Sequence, residues 1–458
     1  MRTHSLALLL LGFLFGGLQA EELCRIRVVD AENGWPVPLV ELKTTNNVRF
    51  YSDNAGTIAF DLPELMGVTT WFSIEGHGYG VKSDGFGMRG IRLVPVPGET
   101  LVVRVDRQLP AKRLGRITGG GIFGEAQRFG EFADWKDQGI LGCDSVQNAV
   151  HNGKLFWAWG DTTLPGYPLG LFHMTSGTTD IRACASFEPP IQLRYDYFRD
   201  ELGKLRCVAE MPGEGPTWLS GYVSLPDAQG RWRLVGTYIK VRPPLSAYES
   251  GLCVWNDSTE NFDRIGVLWK ESDADSVPPL APNGHPVFWT DENGDDWLLF
   301  GDPFPHFKCP ATFEAWADRS TWRELEPQKM VLARDGSENI EPHRGSIAWN
   351  KFRGKWVSIF CQIAGSPSGL GELWYAESPS PLGPWGPAIK VVTHHNYSFY
   401  NPRLHPEFSP DGSPILLFEA TYSASFANRA IPTPRHDYNQ VLYRLDLDDP
   451  ALAIEHRN

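Results

Sequence analysis

The sequence predicts an all-β protein, a small β-sandwich followed by a five-bladed β-propeller, and three observations carry that reading. Residues 23–107 run in short stretches of alternating polar and apolar side chains, broken by Gly, Asn and Pro. Beyond them one hairpin plan occurs five times, each copy turning at a glycine. These glycines, Gly153, Gly230, Gly294, Gly354 and Gly412, stand 58 to 77 residues apart, a nearly even spacing. Units of three or four antiparallel strands are too small to bury their own faces, so they pack radially about an axis.

Taken in order, the chain opens with Arg2 and His4, an apolar run from Leu6 to Leu18, and Ala20 before Glu21-Glu22. A short positive start, an apolar core and a small residue before the cut describe a secretory signal over 1–20, so the mature chain is expected outside the cytoplasm. No later stretch is long and apolar enough for a membrane span. The 458 residues carry 42 Lys+Arg against 55 Asp+Glu, a formal charge of -13. That balance leaves no basic footprint for phosphate backbones, which excludes nucleic acid as a partner. Seven dispersed cysteines, with no CxxC pair, exclude a disulfide-dense scaffold and a Cys-type zinc site.

The sandwich is expected over 21–108, from runs such as Cys24–Asp30, Val37–Lys43, Thr70–Ile74 and Thr100–Asp106. Its Val-Val-Asp-x-x-x-Gly-x-Pro-Val-Pro stretch, with Ser52-Asp53-x-x-Gly56 later, resembles the transthyretin-like or carboxypeptidase-regulatory-like sandwich modules. It holds no convergent acid, base or nucleophile and is expected to act as a spacer or docking module. Residues 109–116 read as a linker and 117–458 as the propeller, with Gly115–Phe123 supplying the strand that closes the last blade. Runs after four of the hairpins (Gly251–Trp255, Phe313–Asp318, Glu372–Ser378 and Gln440–Leu445) are expected as third strands.

Counting back from each turn glycine aligns the first strands. Nine residues before it stand Asp144, Gly221, His285, Gly345 and Arg403; eleven before stand Gly142, Leu219, Asn283, His343 and Asn401; thirteen before, Glu341 is the acid. Alternation puts these on one face, a polar mouth over a floor of Val146, Val223, Val287, Ile347 and His405. Each hairpin returns its second strand to the same level, which adds Asp161, Asp302, Gln362 and Glu419. Several carboxylates and imidazoles on one concave face constitute a candidate site.

Gly142-Cys-Asp144-Ser-Val, followed by Gly153-Lys-Leu-Phe-Trp-Ala-Trp-Gly-Asp161-Thr, resembles the first blade of five-bladed propeller glycosidases. These include the arabinanase, xylosidase and levanase families. It is also similar to a propeller family containing endo-D-arabinanases, in which a Gly-Asp-Thr closes the equivalent strand. Tyr375-Ala-Glu-Ser-Pro-Ser-Pro-Leu-Gly-Pro-Trp385 is similar to a run that recurs in these enzymes. The resemblance implies an Asp on the first blade as base or nucleophile, an Asp elsewhere as tuner and a Glu as acid. Asp144 matches the first role; the second blade carries no aligned acid, and Glu341 sits four residues early for the third.

Glycoside hydrolysis needs one carboxyl group kept protonated and another ionised. Asp144 is therefore expected as base or nucleophile and Glu341 as acid, with Asp302 or Asp161 tuning. His285, Asn283, His343, Arg344, Asn401 and Arg403 are expected to bind a carbohydrate substrate, with Trp218 and Tyr400, and also Tyr438, offering stacking faces. Two other readings stay open: a non-catalytic glycan-binding propeller, and a metal-assisted enzyme using His285, His343 and His405. No cofactor is expected, because the sequence contains no phosphate loop, nucleophile elbow, HExxH or nucleotide fingerprint. The pair His394-His395 is expected in a solvated loop.

Overall fold

The structure, a computed structural model, describes residues 23–171, 174–182, 187–272, 278–428 and 431–453. The expected signal segment and Cys184 lie outside them. The described residues are nearly all β, with two α-helices of no more than five residues and a few single-turn 3-10 segments. Among them no helix is long and apolar enough to cross a membrane. Their six cysteines carry free thiols, most of them buried.

Two four-stranded sheets form from residues 24–107. One orders Thr57–Phe60, Cys24–Asp30, Thr100–Arg107 and Tyr79–Gly80; the other orders Arg49–Tyr51, Glu41–Thr44, Thr70–Glu75 and Gly90–Leu93. Cys24–Asp30 and Thr100–Arg107 run parallel. The alternation of Cys24–Asp30 points Ile26 and Val28 inward, where they meet Leu42, Phe72 and Ile74 of the second sheet in one apolar core.

Five further four-stranded antiparallel sheets follow in chain order. Their first strands are Gln147–His151, Thr217–Pro226, Val287–Thr290, Pro342–Asn350 and Ser398–Leu404. The turn glycines between first and second strands all have positive φ, from 62° at Gly354 to 85° at Gly294, which is why glycine is needed there. Contacts between neighbouring sheets run in cyclic order. His151 meets Ser224 (2.8 Å), Gly221 N–H donates to Gly284 O (3.1 Å), and Gly345 N–H donates to Asp302 Oδ1 (2.8 Å). Leu404 N–H donates to Ser346 Oγ (2.7 Å), and Arg403 Nε returns to Asn148 Oδ1 of the first sheet (3.0 Å).

Two elements differ from expectation. Phe313–Ala317 is a short helix and not a third strand: Thr312 caps it by accepting from Ala315 N–H (3.3 Å), and Trp316 is buried beneath it. The third strand of that sheet is Pro305–Pro310. The strand completing the fifth sheet is Lys112–Arg116, antiparallel to Asn439–Asp446, so most of the expected linker is sheet.

That strand also fastens the first two sheets to the rest. Arg113 is buried and spends all its donors: Nε on Tyr443 Oη (2.7 Å), Nη1 on Pro38 O and Leu39 O (3.0 and 3.2 Å), Nη2 on Gly76 O and His77 O (2.8 and 2.6 Å). Asn54 bonds Arg116 through both backbone groups, at 2.8 and 2.9 Å. His394, expected in a solvated loop, is buried against this junction and bonds Tyr443 Oη at 2.9 Å.

Candidate functional site

A cleft of about 570 Å³ opens where the first strands begin, and three aspartates from different stretches of chain line it: Asp144, Asp161 and Asp302. A two-residue ladder sets the first two side by side. Cys143 pairs with Thr162, and Gly160 N–H donates to Asp144 O at 2.7 Å, so Asp144 and Asp161 flank the same pairing. A Cβ on Gly160 would stand 2.2 Å from Asp144 Oδ1, so the carboxylate lies across bare backbone.

Asp144 receives a hydrogen bond from Tyr400 Oη at 3.1 Å. Burial pushes its carboxyl above the usual range, while hydrogen bonds from Ser145, Tyr400 and Tyr438 pull it back. Asp161 accepts from Trp218 Nε1 at 2.9 Å. Its pKa is pushed up to about 6, first by burial and then by the negative charge of Asp144. Asp302 takes Gly345 N–H on Oδ1 and Arg344 Nη1 on Oδ2 (2.5 Å), and that carboxylate raises the Arg344 pKa. His285 is held well below its ordinary pKa by burial, then by the charges of Arg403 and Arg344, so its imidazole is neutral.

Three non-glycine residues around Asp144 sit in the left-handed region: Ser145 (φ 54°), Asn401 (φ 53°) and Tyr438 (φ 58°). Asn401 Nδ2 donates to Ser145 Oγ at 2.6 Å. Gly221 (φ 62°) and Gly284 (φ 89°) occupy the matching places in the second and third sheets. The residues just before four of these left-handed positions (Ser145, Gly221, Gly284 and Asn401), namely Asp144, Ser220, Asn283 and Tyr400, line the cleft. One repeated backbone kink thus aims four side chains into one volume. Strain of this kind concentrates at functional sites.

Of the residues expected at the mouth, Asp144, Asp161, Asp302, His285, Asn283, Arg344, Asn401, Trp218 and Tyr400 line the cleft. Glu341, His343 and Arg403 do not. Glu341 is exposed, its carbonyl accepting from Ile363 N–H at 3.1 Å while its side chain stays out of the cleft. His343 is half-buried, with Nδ1 lacking a hydrogen-bond partner. Arg403 lines a different cavity further along the strands. For Glu341 and His343 the cause is register: it shifts between Pro342 and Gly345, so strict alternation from the turn glycine fails from there on, whereas Arg403 stands on the turn side of the shift in its own strand.

The second strands show the same divergence. Gln362 is tied to Glu338 (2.8 Å) and Trp374 (2.9 Å), and Glu419 is buried against His405 Nε2 (2.8 Å). His405 also bonds Glu407 at 3.0 Å, and among the described residues no group of three or more His, Cys, Asp or Glu is placed to hold a metal ion. Ser220, Tyr438 and the exposed ring of Phe426, which meets Tyr400 edge-on, are lining residues that alignment on the turns did not single out as mouth positions. Counting from the kinks instead of the turns finds Ser220; Phe426 left no pattern.

No protein-family model matches this chain, and no curated protein matches it. Among solved structures it is similar to a putative exo-beta-1,3-galactanase from Bifidobacterium bifidum s17, at 12% identity and TM-score 0.38, over 67% of this chain and 91% of that one. It is similar to an exo-1,5-alpha-L-arabinanase from a bovine ruminal metagenomic library, at 14% identity and TM-score 0.37, over 68% and 95%. A third likeness is to an N-acetylgalactosamine deacetylase from F. plautii, at 13% identity and TM-score 0.36, over 68% and 91%.

Proposed function

We propose that this protein is an exported glycoside hydrolase, with a sandwich module over 21–108 and a five-bladed propeller beyond it. One observation carries the reading: two coupled aspartates share a cleft, and the pKa of one is raised to about 6. Burial raises both carboxyls, while three hydroxyls support the charged form of Asp144 against one indole N–H on Asp161; two adjacent carboxyls in unlike surroundings are what acid–base hydrolysis of an acetal requires. Asp161 is the acid. It holds a proton up to about pH 6 because it is partly buried and beside the charge of Asp144, and it delivers that proton to the leaving oxygen. Asp144 is the base or nucleophile, its charged form supported by the hydroxyls of Tyr400, Tyr438 and Ser145. Glu341, expected as the acid, has no part in this scheme.

Asp302 and Arg344 form a fixed pair at the cleft wall, offering an acceptor and a fork of donors to sugar hydroxyls. Neutral His285 both donates and accepts, and Asn283 and Asn401 add amide groups. The exposed face of Phe426 gives an apolar sugar face a surface to stack on.

The test separates the two roles. Asp144→Asn and Asp161→Asn are assayed for reducing-end release from arabinan, xylan, levan and β-1,3-galactan, and for hydrolysis of the matching 4-nitrophenyl glycosides. Both variants should lose turnover on polymer. Asp161→Asn should keep most activity on the aryl glycoside, whose leaving group needs no proton. Full polymer activity in Asp144→Asn overturns the proposal.

A further inference from the structure

The same first strands end in a second cavity, of about 500 Å³, lined by Asn148, Tyr222, Trp232, Phe288, Arg403 and Glu407 among others. Trp232 and His151 also line an adjoining cavity of about 370 Å³, so the two cavities share the wall that carries this indole. The surface here is unusual in two ways. Trp232, Phe288 and Val150 are 54%, 48% and 45% exposed, a cluster of large apolar groups at one site on the surface. Beneath them Arg403, 8% exposed, spends only Nε, on Asn148 (3.0 Å); among the described residues its two terminal nitrogens have no hydrogen-bond partner. A buried guanidinium with idle donors facing a cavity calls for an acceptor.

We infer that this far cleft is a second, non-catalytic site that binds an uncharged sugar chain; the inference rests on the glycan-acting reading above and adds to it. Charge decides against an anion. Glu407 lines the same cavity as Arg403, held as a carboxylate by His405 and Asn148 (3.0 and 3.1 Å). An incoming anion would meet that carboxylate, whereas a hydroxyl can accept from Arg403 and donate to Glu407 together. The adjoining cavity is balanced too, with Arg231 and Arg233 against Asp257 and Asp263. His151, which bonds Ser224 (2.8 Å), has its pKa lowered by burial and adds no charge. Apolar ring faces above neutral donor–acceptor pairs suit a sugar, which is apolar on its ring faces and polar at its edges. Two adjoining cavities, of about 500 and 370 Å³, suit a chain over a single unit.

The experiment uses the full-length protein in gels containing arabinan, xylan, levan or β-1,3-galactan, with Asp144→Asn as the parent so that polymer is not consumed. At least one polymer should retard the parent. Adding Trp232→Ala and Phe288→Ala should weaken that retardation by about tenfold or more, the scale on which aromatic anchors act. In the otherwise native protein the same two substitutions should leave kcat/KM on the aryl glycoside unchanged, since neither side chain lines the catalytic cleft. Retardation that ignores the two substitutions, or no retardation by any of the four polymers, overturns the far cleft. Retardation that depends on Trp232 and Phe288 supports it whether or not Asp144→Asn abolishes turnover, so the two proposals fail separately.

Discussion

The two ends of the first strands are built from the same segments and look nothing alike. At the mouth the ladders break: register shifts fall between Ser220 and Val223, Pro342 and Gly345, and Tyr400 and Arg403. Beyond the breaks pairing is regular, as in Val223 with Val235, Ser346 with Ile359 and Leu404 with Phe418. The kinked end gathers three aspartates, three amides and a neutral imidazole; the regular end presents rings, a buried arginine and a carboxylate. A bulge re-aims side chains that alternation would have kept on one face, and it exposes backbone groups for a neighbouring sheet to bind. Chemistry collects where the sheet is irregular, and plain surface collects where it is not.

The largest effect expected is on the proton donor. Asp161→Asn should lower kcat/KM on polymer by about 10²- to 10⁴-fold, the usual contribution of a positioned general acid. It should leave polymer retardation through Trp232 intact. Loss of both would mean that the ends are not independent.

Next in size is the layer between them. His405 and Glu419 are fully buried and bonded at 2.8 Å, and burial of the imidazole is more than offset by Glu407 and Glu419, which raise its pKa. His405→Ala strands a buried carboxylate and should cost about 3–5 kcal/mol in unfolding free energy, measured by urea titration. It also frees Glu407, so polymer retardation should weaken more than turnover of the aryl glycoside per folded molecule. The reverse order would place this layer under the mouth.

Much of this architecture was legible because hairpins and alternation are local. Gly153, Gly230, Gly294, Gly354 and Gly412 announce the turns, and Gly-Asp at 160–161 and 301–302 announces two acids at strand ends. The site was half legible for the same reason. Asp144 and His285 could be placed by counting, because the count from their turns met no bulge. Glu341 could not, since a single extra residue inverts every face beyond it, and nothing in Pro342-His-Arg-Gly345 marks the shift. The far cleft was hidden further, because Trp232, Phe288 and Arg403 come from three sheets with no shared motif.

A smaller perturbation tests the kink itself. Gly221 has φ 62°, and a Cβ there would stand 1.9 Å from Pro282 O. Gly221→Ala should cost about 1–3 kcal/mol of stability. Because Gly221 N–H holds Gly284 O at 3.1 Å, the shift should move Ser220 and Asn283 and raise KM more than it lowers kcat. Gly230→Ala, at a turn with nothing within 4 Å of the added carbon, carries only the backbone strain and should spare KM.

The smallest effect separates function from stability in one residue. The Asp161 pKa rises from 3.8 to about 6 on folding, so the native state binds the extra proton between those pH values. Below pH 3.8 both states are protonated and the site adds nothing; as pH climbs to about 6 the unfolded state ionises more readily, and native stability falls. Above that pH the penalty is constant. A shift of roughly two units is worth ~3 kcal/mol in a sealed site, but water in the open cleft screens it, leaving about 1 kcal/mol. Asp161→Asn should therefore be more stable than the native chain by about 1 kcal/mol at pH 8 and by nothing at pH 3.5, read from urea midpoints. In the native protein kcat/KM should fall tenfold per unit above pH about 6 as the same proton is lost. A variant that gains stability at pH 8 while turnover keeps its alkaline fall would show that another group supplies the proton.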